Sequence, residues 1–321
     1  MSSDHFDGRK FFTPNAPPER GVGALLRWML TRNQAKWKPE LRTSTSLPPA
    51  IVEGNGVLVT FVNHSTVLIQ IQGVNILTDP IWSERASPFS FAGPRRFSQP
   101  GVDFDKLPPI HIVLLSHNHY DHMDAPTLRR LQQAHAPRVY MALGNEPYLR
   151  QIGMRRPHIL DWWQSERYSA NLTVHCAPAQ HFSGRSMADR DRALWCSWLL
   201  ETLGGNIYFG GDTGFGPHFQ QVKDRFGRFR LAFLPIGAYA PRWFMGPVHM
   251  DPDEAVRAHE ILDPDMSIGI HHEAFSLADE AQYEPRERIE ELARERRLNF
   301  VVPRNGDAIT VPEQRQARAI G

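Results

Sequence analysis

Two cysteines in 321 residues cannot build the disulfide frameworks that staple small secreted domains, so Cys176 and Cys196 are expected as reduced thiols in a reducing compartment. Residues 1–10 lack the apolar core of a signal peptide, and no stretch reaches the roughly 18 apolar residues of a membrane-spanning helix. Neither sign of charge is in excess. Lys and Arg total 36, Asp and Glu 35, for a net charge of +1, without blocks of like charge. The basic surplus that accompanies a nucleic-acid partner is therefore missing. These absences predict a cytoplasmic protein, or one on the cytoplasmic surface of a membrane, with no nucleic-acid partner. With 41% hydrophobic and 22% charged residues, the chain has the composition of a globular protein with a sizeable core.

Prolines 14, 17, 18, 39, 48 and 49 mark residues 1–50 as an extension of turns and extended segments. Within it, residues 21–38 mix Leu25, Leu26, Trp28, Met29 and Leu30 with Arg27, Arg32, Lys36 and Lys38. That mixture predicts a short amphipathic helix with a basic face, either docked on the main domain or lying at a membrane surface. Residues 51–321 form the main domain. Short β-branched runs at 57–62, 67–71 and 75–77, with a turn at Gly73, read as strands. Residues 111–116 (HIVLLS) form a nearly continuous apolar run, as expected of a strand covered on both faces. A helix should follow, with Asp124 as its cap and Pro126 in its first turn. Further strands are expected at 172–176, 206–210, 231–236 and 266–270. Asp251, Pro252 and Glu254 signal another helix start, with cap, proline and acidic residue in order. A charged surface helix at 284–297 and strands at 299–302 and 308–311 complete the chain. Strands in runs, then alternating with helices and without an internal repeat, predict a layered α/β protein with its sheets in the middle.

The most informative segment follows the buried strand. His117, His119, Asp121 and His122 offer four potential ligands within six residues. His117 and His119 share a face of an extended segment, while Asp121 and His122 lie where the chain bends and can point to a second ion. Imidazole and carboxylate suit zinc and other first-row divalent metals. His181, Asp212 and His271 each fall at the end of an expected strand, where layered α/β proteins build their sites. Glycines beside Asp212 allow a close approach. Adjacent strand residues face opposite ways, so one of His271 and His272 should look away; His271 is assigned to the site because it comes first after the apolar run.

The order His-x-His-x-Asp-His, then His, Asp and His, resembles the metallo-β-lactamase superfamily. Within it the chain is similar to the N-acylphosphatidylethanolamine-hydrolysing phospholipase D family, through residues 77–80 (LTDP), 85–88, 93–97, 116–124 (SHNHYDHMD), 161–163, 210–214 and 235–245 (PIGAYAPRWFM). The resemblance runs from roughly residue 50 to the C-terminus and implies an αββα four-layer sandwich. It also implies two Zn2+ per chain: His117, His119 and His181 on one, Asp121, His122 and His271 on the other, and Asp212 bridging. Tyr120 and His249 would meet the substrate, with Asp121, Asp212 and His249 as the catalytic set. The implied reaction releases N-acylethanolamine and phosphatidic acid from a phospholipid at a membrane surface through a metal-bridging hydroxide. A homodimer is implied by the animal enzymes. An apolar approach could use Trp28, Met29, Trp162, Trp163, Trp243, Phe244 and Met245. The chain departs from the family at Asn63-His64-Ser65, where Gly-His-Ala is usual, and at His272-Glu273, where animal enzymes have Trp-Gly. Alternatives are a hydrolase of a soluble phosphodiester or lactone, a di-iron redox protein, or a membrane-associated binding protein without turnover.

Overall fold

A computed structural model describes residues 3–17, 20–40, 45–155, 157–186 and 188–314; Pro18 lies outside these. The first sheet is built from β1 (Val57–Asn63), β2 (Thr66–Ile71), β3 (Val74–Thr78), β4 (Ile112–Leu114), β5 (Arg138–Ala142) and β6 (Pro157–Leu160). β1 to β3 form an antiparallel meander. Ile71 pairs with Val74, leaving Gln72 (φ 52°) and Gly73 (φ 75°) as the turn. Two positive-φ residues in a two-residue loop match the twist of the strands they join. β4 to β6 then run parallel, with α2 (Ala125–Ala134) and α3 (Glu146–Ile152) in the crossovers. The helix in the extension is α1 (Val22–Thr31).

The second sheet contains β7 (Ser165–Ser169), β8 (Leu172–Ala177), β9 (Ser197–Thr202), β10 (Asn206–Phe209), β11 (Phe229–Pro235), β12 (Pro264–Ile270) and β13 (Phe300–Val301). Its helices are α4 (His218–Phe226), α5 (Arg242–Met245), α6 (Pro252–Leu262) and α7 (Glu284–Arg296). The chain then returns: β14 (Ala308–Val311) pairs antiparallel with β1 on the outer edge of the first sheet. Buried Arg230 of β11 secures this return, donating to the carbonyls of Val311, Pro312 and Asn55.

The alternation of the strands sorts side chains into three cores. Between the sheets pack Phe61, Ile69, Leu114, Trp198 and Phe233, among others. Outside the second sheet, Phe219, Val256 and Ile289 bring in α4, α6 and α7. Outside the first, Leu128, Leu131 and Leu149 bring in α2 and α3. Helices, sheet, sheet and helices make the expected αββα sandwich. Cys176 and Cys196 are free and buried; burial, with the Cys176 thiol beside it, pushes the Cys196 thiol up.

The start of α6 follows its sequence signal. Asp251 accepts from the Glu254 amide, Glu254 accepts from that of Asp251, and Pro252 occupies the first turn. The start of α2 does not. Asp124 sits at the cap position but makes no side-chain cap bond. Its carboxylate accepts instead from the Ser83 amide and hydroxyl and from the Thr127 hydroxyl, tying the loop after β3 to the helix. Of the two expectations for the extension, the structure bears out docking on the main domain. The helix α1 buries its Trp28, which donates to Asp279 and stacks on Phe244 at 4.9 Å. Its outer face leaves Leu26 (53%), Met29 (60%) and Leu30 (86%) exposed.

Candidate metal centre

The segment after β4 is anchored before it reaches the ligands. The Ser116 amide and hydroxyl both donate to Asp79, at 2.7 and 2.6 Å. Because the Ser116 proton goes to Asp79, the serine oxygen accepts from His117 Nδ1 at 2.9 Å. The other oxygen-bound partner of Asp79 is His122, whose Nδ1 donates at 2.7 Å. His181 Nδ1 donates to the Val248 carbonyl at 2.9 Å. In each of these three imidazoles the outer partner takes Nδ1 and turns Nε2 inward, the arrangement that outer partners impose on metal-binding histidines.

The inward atoms converge. His117 Nε2 lies 2.8 Å and His181 Nε2 3.3 Å from His119 Nδ1, forming one trio. His122, His271 and Asp121 form a second, with Asp121 Oδ2 at 3.3 and 3.4 Å from the two Nε2 atoms. Asp212 stands between them. Its Oδ2 is 3.1 and 3.0 Å from His122 and His271 and 3.9 Å from both His117 and His181. Asp212 is placed by its glycine neighbour. Gly211 has φ 59° and passes so close to Ser116 that a β-carbon there would lie 2.5 Å from the serine Cβ, so no larger residue fits.

The donor set fits divalent metal. Nε2 of His122, Nε2 of His271 and Oδ1 of Asp212 are buried without a hydrogen-bond partner, a costly state for polar atoms unless a cation satisfies them. The electrostatics agree. Burial holds His117 and His181 well below the usual imidazole range and His119 down to about 4, leaving neutral ligands. Burial opposes charge on Asp121 and Asp212, but neighbouring His122 and His271 outweigh it and hold both carboxyls well below their usual range. Conversely, the carboxylates overcome burial to raise His122, and to raise His271 to about 9. Two buried carboxylates thus call for positive charge, which bound divalent cations would supply.

Residues 74–272 match the β-lactamase superfamily domain. The N-acylphosphatidylethanolamine-hydrolysing phospholipase D 1 of Caenorhabditis elegans is 37% identical over 250 residues, covering 74% of this chain and 70% of the worm protein. This chain belongs to the N-acylphosphatidylethanolamine-hydrolysing phospholipase D family. The mitochondrial phospholipase D of that name from Saccharomyces cerevisiae is 34% identical, covering 77% of this chain and 55% of the yeast protein. Among solved structures, the metallo hydrolase Igni18 of Ignicoccus hospitalis superposes with a TM-score of 0.62 at 19% identity, over 81% of this chain and all of its own. The phospholipase D family member described here is a metal-dependent hydrolase.

The structure brings together every candidate ligand that the sequence singled out, and His271 rather than His272 faces the cluster. His272 instead stacks on Phe61 in the core, 5.2 Å centroid to centroid. His249 stands beside the site, its ring 5.1 Å from His181 and 5.4 Å from His271; burial brings it down to about 3. Tyr120 donates to the Arg185 carbonyl at 2.9 Å, with the Arg185 guanidinium 4.0 Å from its ring. Both Tyr120 and His249 line a cavity of about 990 Å³ that opens from the cluster.

The expected apolar approach needs correction. Trp28, Phe244 and Met245 line the cavity, but Met29, Trp162, Trp163 and Trp243 do not. Trp162 is buried between His5, on which it stacks at 4.1 Å, and the Trp195 carbonyl, to which it donates. Trp163 packs at the edge of the core and under Arg225. Val22, Leu25 and Leu277 complete the apolar wall in their place. Two residues were missed by the sequence argument. Asp79 lies in the family-like LTDP stretch but had no assigned role. His64 entered only as part of the departure at Asn63-His64-Ser65, without a role, yet it donates to Asp121. Among the described residues no helix is long and apolar enough to cross a membrane.

Proposed function

We propose that this protein is a zinc-dependent phosphodiester hydrolase that cleaves N-acylphosphatidylethanolamine to N-acylethanolamine and phosphatidic acid. The observation that carries the reading is the mixed lining of the cavity. It combines His181, His249 and Tyr120 and the basic Arg185 and Arg190 with the apolar Leu25, Trp28, Phe244 and Leu277. Such a cavity suits a substrate with an anionic phosphodiester and acyl chains. His117, His119 and His181 would hold one zinc, Asp121, His122 and His271 the other, with Asp212 between them. Bound zinc would supply hydroxide at neutral pH and offset phosphate charge.

The protein's own groups then orient the substrate. The guanidiniums of Arg185 and Arg190 attract the phosphate and fix its side of the cavity. His249 is neutral, and its Nδ1 is buried without a partner; it is placed to donate a hydrogen bond to a phosphate or leaving-group oxygen. The apolar wall excludes water around the reacting bond. Family membership and the names of the worm and yeast relatives support the same substrate.

The deciding experiment is mass spectrometry of products after zinc-loaded protein meets mixed vesicles containing N-acylphosphatidylethanolamine. Release of N-acylethanolamine together with phosphatidic acid is expected. Binding of about two zinc ions without either product would overturn the lipid assignment and direct attention to soluble phosphodiesters and lactones.

The same reading places the exposed face of α1 against the bilayer. Changing Leu26, Met29 and Leu30 together to aspartate should lower co-sedimentation with vesicles about tenfold or more, since each buried side chain contributes about 1.5–3 kcal/mol. Zinc content should not change. Undiminished co-sedimentation would remove α1 from the membrane surface.

A further inference from the structure

His64 occupies the turn between β1 and β2 and is 1% exposed, with φ at 50°. The surroundings hold it firmly. Asn63 before it donates to the Ile81 carbonyl and accepts from buried Arg96 at 3.0 Å. The Arg96 guanidinium lies 4.9 Å from the Phe275 ring, and Phe275 in turn meets the His64 imidazole edge-on at 5.3 Å.

Held this way, His64 touches two residues assigned above to the same ion. Its Nε2 donates to Asp121 Oδ2 at 3.0 Å. Its carbonyl accepts from the His271 amide at 2.9 Å, and the two rings stand 4.1 Å apart. One turn of the first sheet thereby grips a ligand from the loop after β4 and a ligand from the end of β12 in the second sheet.

His64 could serve instead as a ligand, because its ring nitrogen lies within 4.8 Å of ligand atoms of Asp121, His122 and His271. The hydrogen bonding separates the two roles. Three imidazole Nε2 atoms surround Asp121 Oδ2. Those of His122 and His271 make no hydrogen bond and also face Asp212 Oδ2 at 3.1 and 3.0 Å, the placement of groups that share a cation between two carboxylates. That of His64 is aligned for donation to the carboxylate, so it carries the proton and has no lone pair to offer.

We propose that His64 is a positioning residue that locks the Asp121 carboxylate and thereby sets the affinity of the ion shared by Asp121, His122 and His271, leaving the other ion unaffected. The proposal rests on the two-ion reading of the cluster. A carboxylate gripped through one oxygen cannot swing about its terminal torsion, so the ligand trio is prepared before a cation arrives.

The test is elemental analysis of full-length protein after equilibrium dialysis against graded free zinc. His64→Phe, which keeps bulk but removes the donor, should weaken one ion by about 10- to 100-fold and spare the other. His64→Gln, whose amide can still donate, should stay within a few-fold of wild type. Unchanged retention of both ions by His64→Phe, or equal weakening of both, would overturn the proposal. Cobalt-loaded His64→Gln should keep the wild-type absorption spectrum; an altered spectrum at full occupancy would make His64 a ligand and sink the positioning role. Should His64→Phe fail to fold, His64→Ala carries the same expectation, with affinity restored by added imidazole and the proposal discarded without restoration. Asp121→Ala serves as the control. If it loses one ion while His64→Phe keeps both, only the positioning role falls; if it keeps both, the two-ion reading falls as well.

Discussion

Asp212→Ala is expected to retain neither zinc ion after dialysis and to lose about a thousandfold or more of its turnover. The estimate follows from an ion contribution of several kcal/mol to the transition state, with about 1.4 kcal/mol for each factor of ten. Among the described residues, Asp212 is the one carboxylate whose oxygen approaches both histidine groups, at 3.0 and 3.1 Å on one side and 3.9 Å on the other. The readouts are zinc per chain by elemental analysis and product by mass spectrometry. Full zinc content with full turnover would show that Asp212 bridges nothing. The order of loss is also informative: if only the ion near His122 and His271 departs, the carboxylate belongs to that site alone.

Arg286→Met is expected to cost about 3–5 kcal/mol of folding stability, the range for removing one partner of a buried ion pair. Arg286 donates to Glu273 through two nitrogens, at 2.7 and 2.8 Å, and also reaches the carbonyls of Val302 and Pro303. Both side chains are about nine-tenths buried, at 11% and 8% exposure. The substitution leaves the Glu273 carboxylate buried next to His272 with its main partner gone. The pair also makes a pH-dependent contribution. Burial opposes charge on Glu273, but His272 and Arg286 outweigh it and bring its pKa from 4.5 to about 2. A carboxyl depressed in the folded state stabilises fully above its unfolded pKa and loses that contribution as protons bind. The difference in urea midpoint between wild type and Arg286→Met should therefore be steady from about pH 5 to pH 7. It should shrink as pH falls from 4.5 toward 2. A difference independent of pH throughout that window would assign the loss to packing rather than to the ion pair.

The candidate ligands were legible because they sit at chain positions that announce themselves. A run of four donors follows a strand buried on both faces, and three later donors each close an apolar run. The capping residues of α6 and the Gln72-Gly73 turn were equally plain, since short-range backbone demands select short-range residues. Asp124 shows where such signals mislead: the right residue stood at the right place, but the loop after β3 competed for its carboxylate. β7 gave no strand signal because Ser165–Ser169 is a polar edge strand, and its partner β8 alone carries the apolar alternation. β5 and β6 are parallel strands of only five and four residues, too short to show a period, and are covered by α2 and α3 of the adjoining crossovers. Trp162 was assigned to the cavity by residue type, whereas its place in the core depends on His5 and Trp195, distant in sequence. His64 could not be read from spacing at all. Its partners are 57 and 207 residues away, and only the stacking of the two sheets brings them together.

The pairing of β14 with β1 bears on how the chain is made. β1 leaves the ribosome long before Ala308–Val311, the strand that covers its outer edge. Until then a run of unpaired backbone donors and acceptors lies open to any other extended chain. The proposed zinc ligands all fall between residues 117 and 271, so the metal pocket can assemble while that edge is still bare. β14 and the Arg230 latch thus close that edge only after the metal pocket has been made, shielding it from neighbouring chains on the polysome.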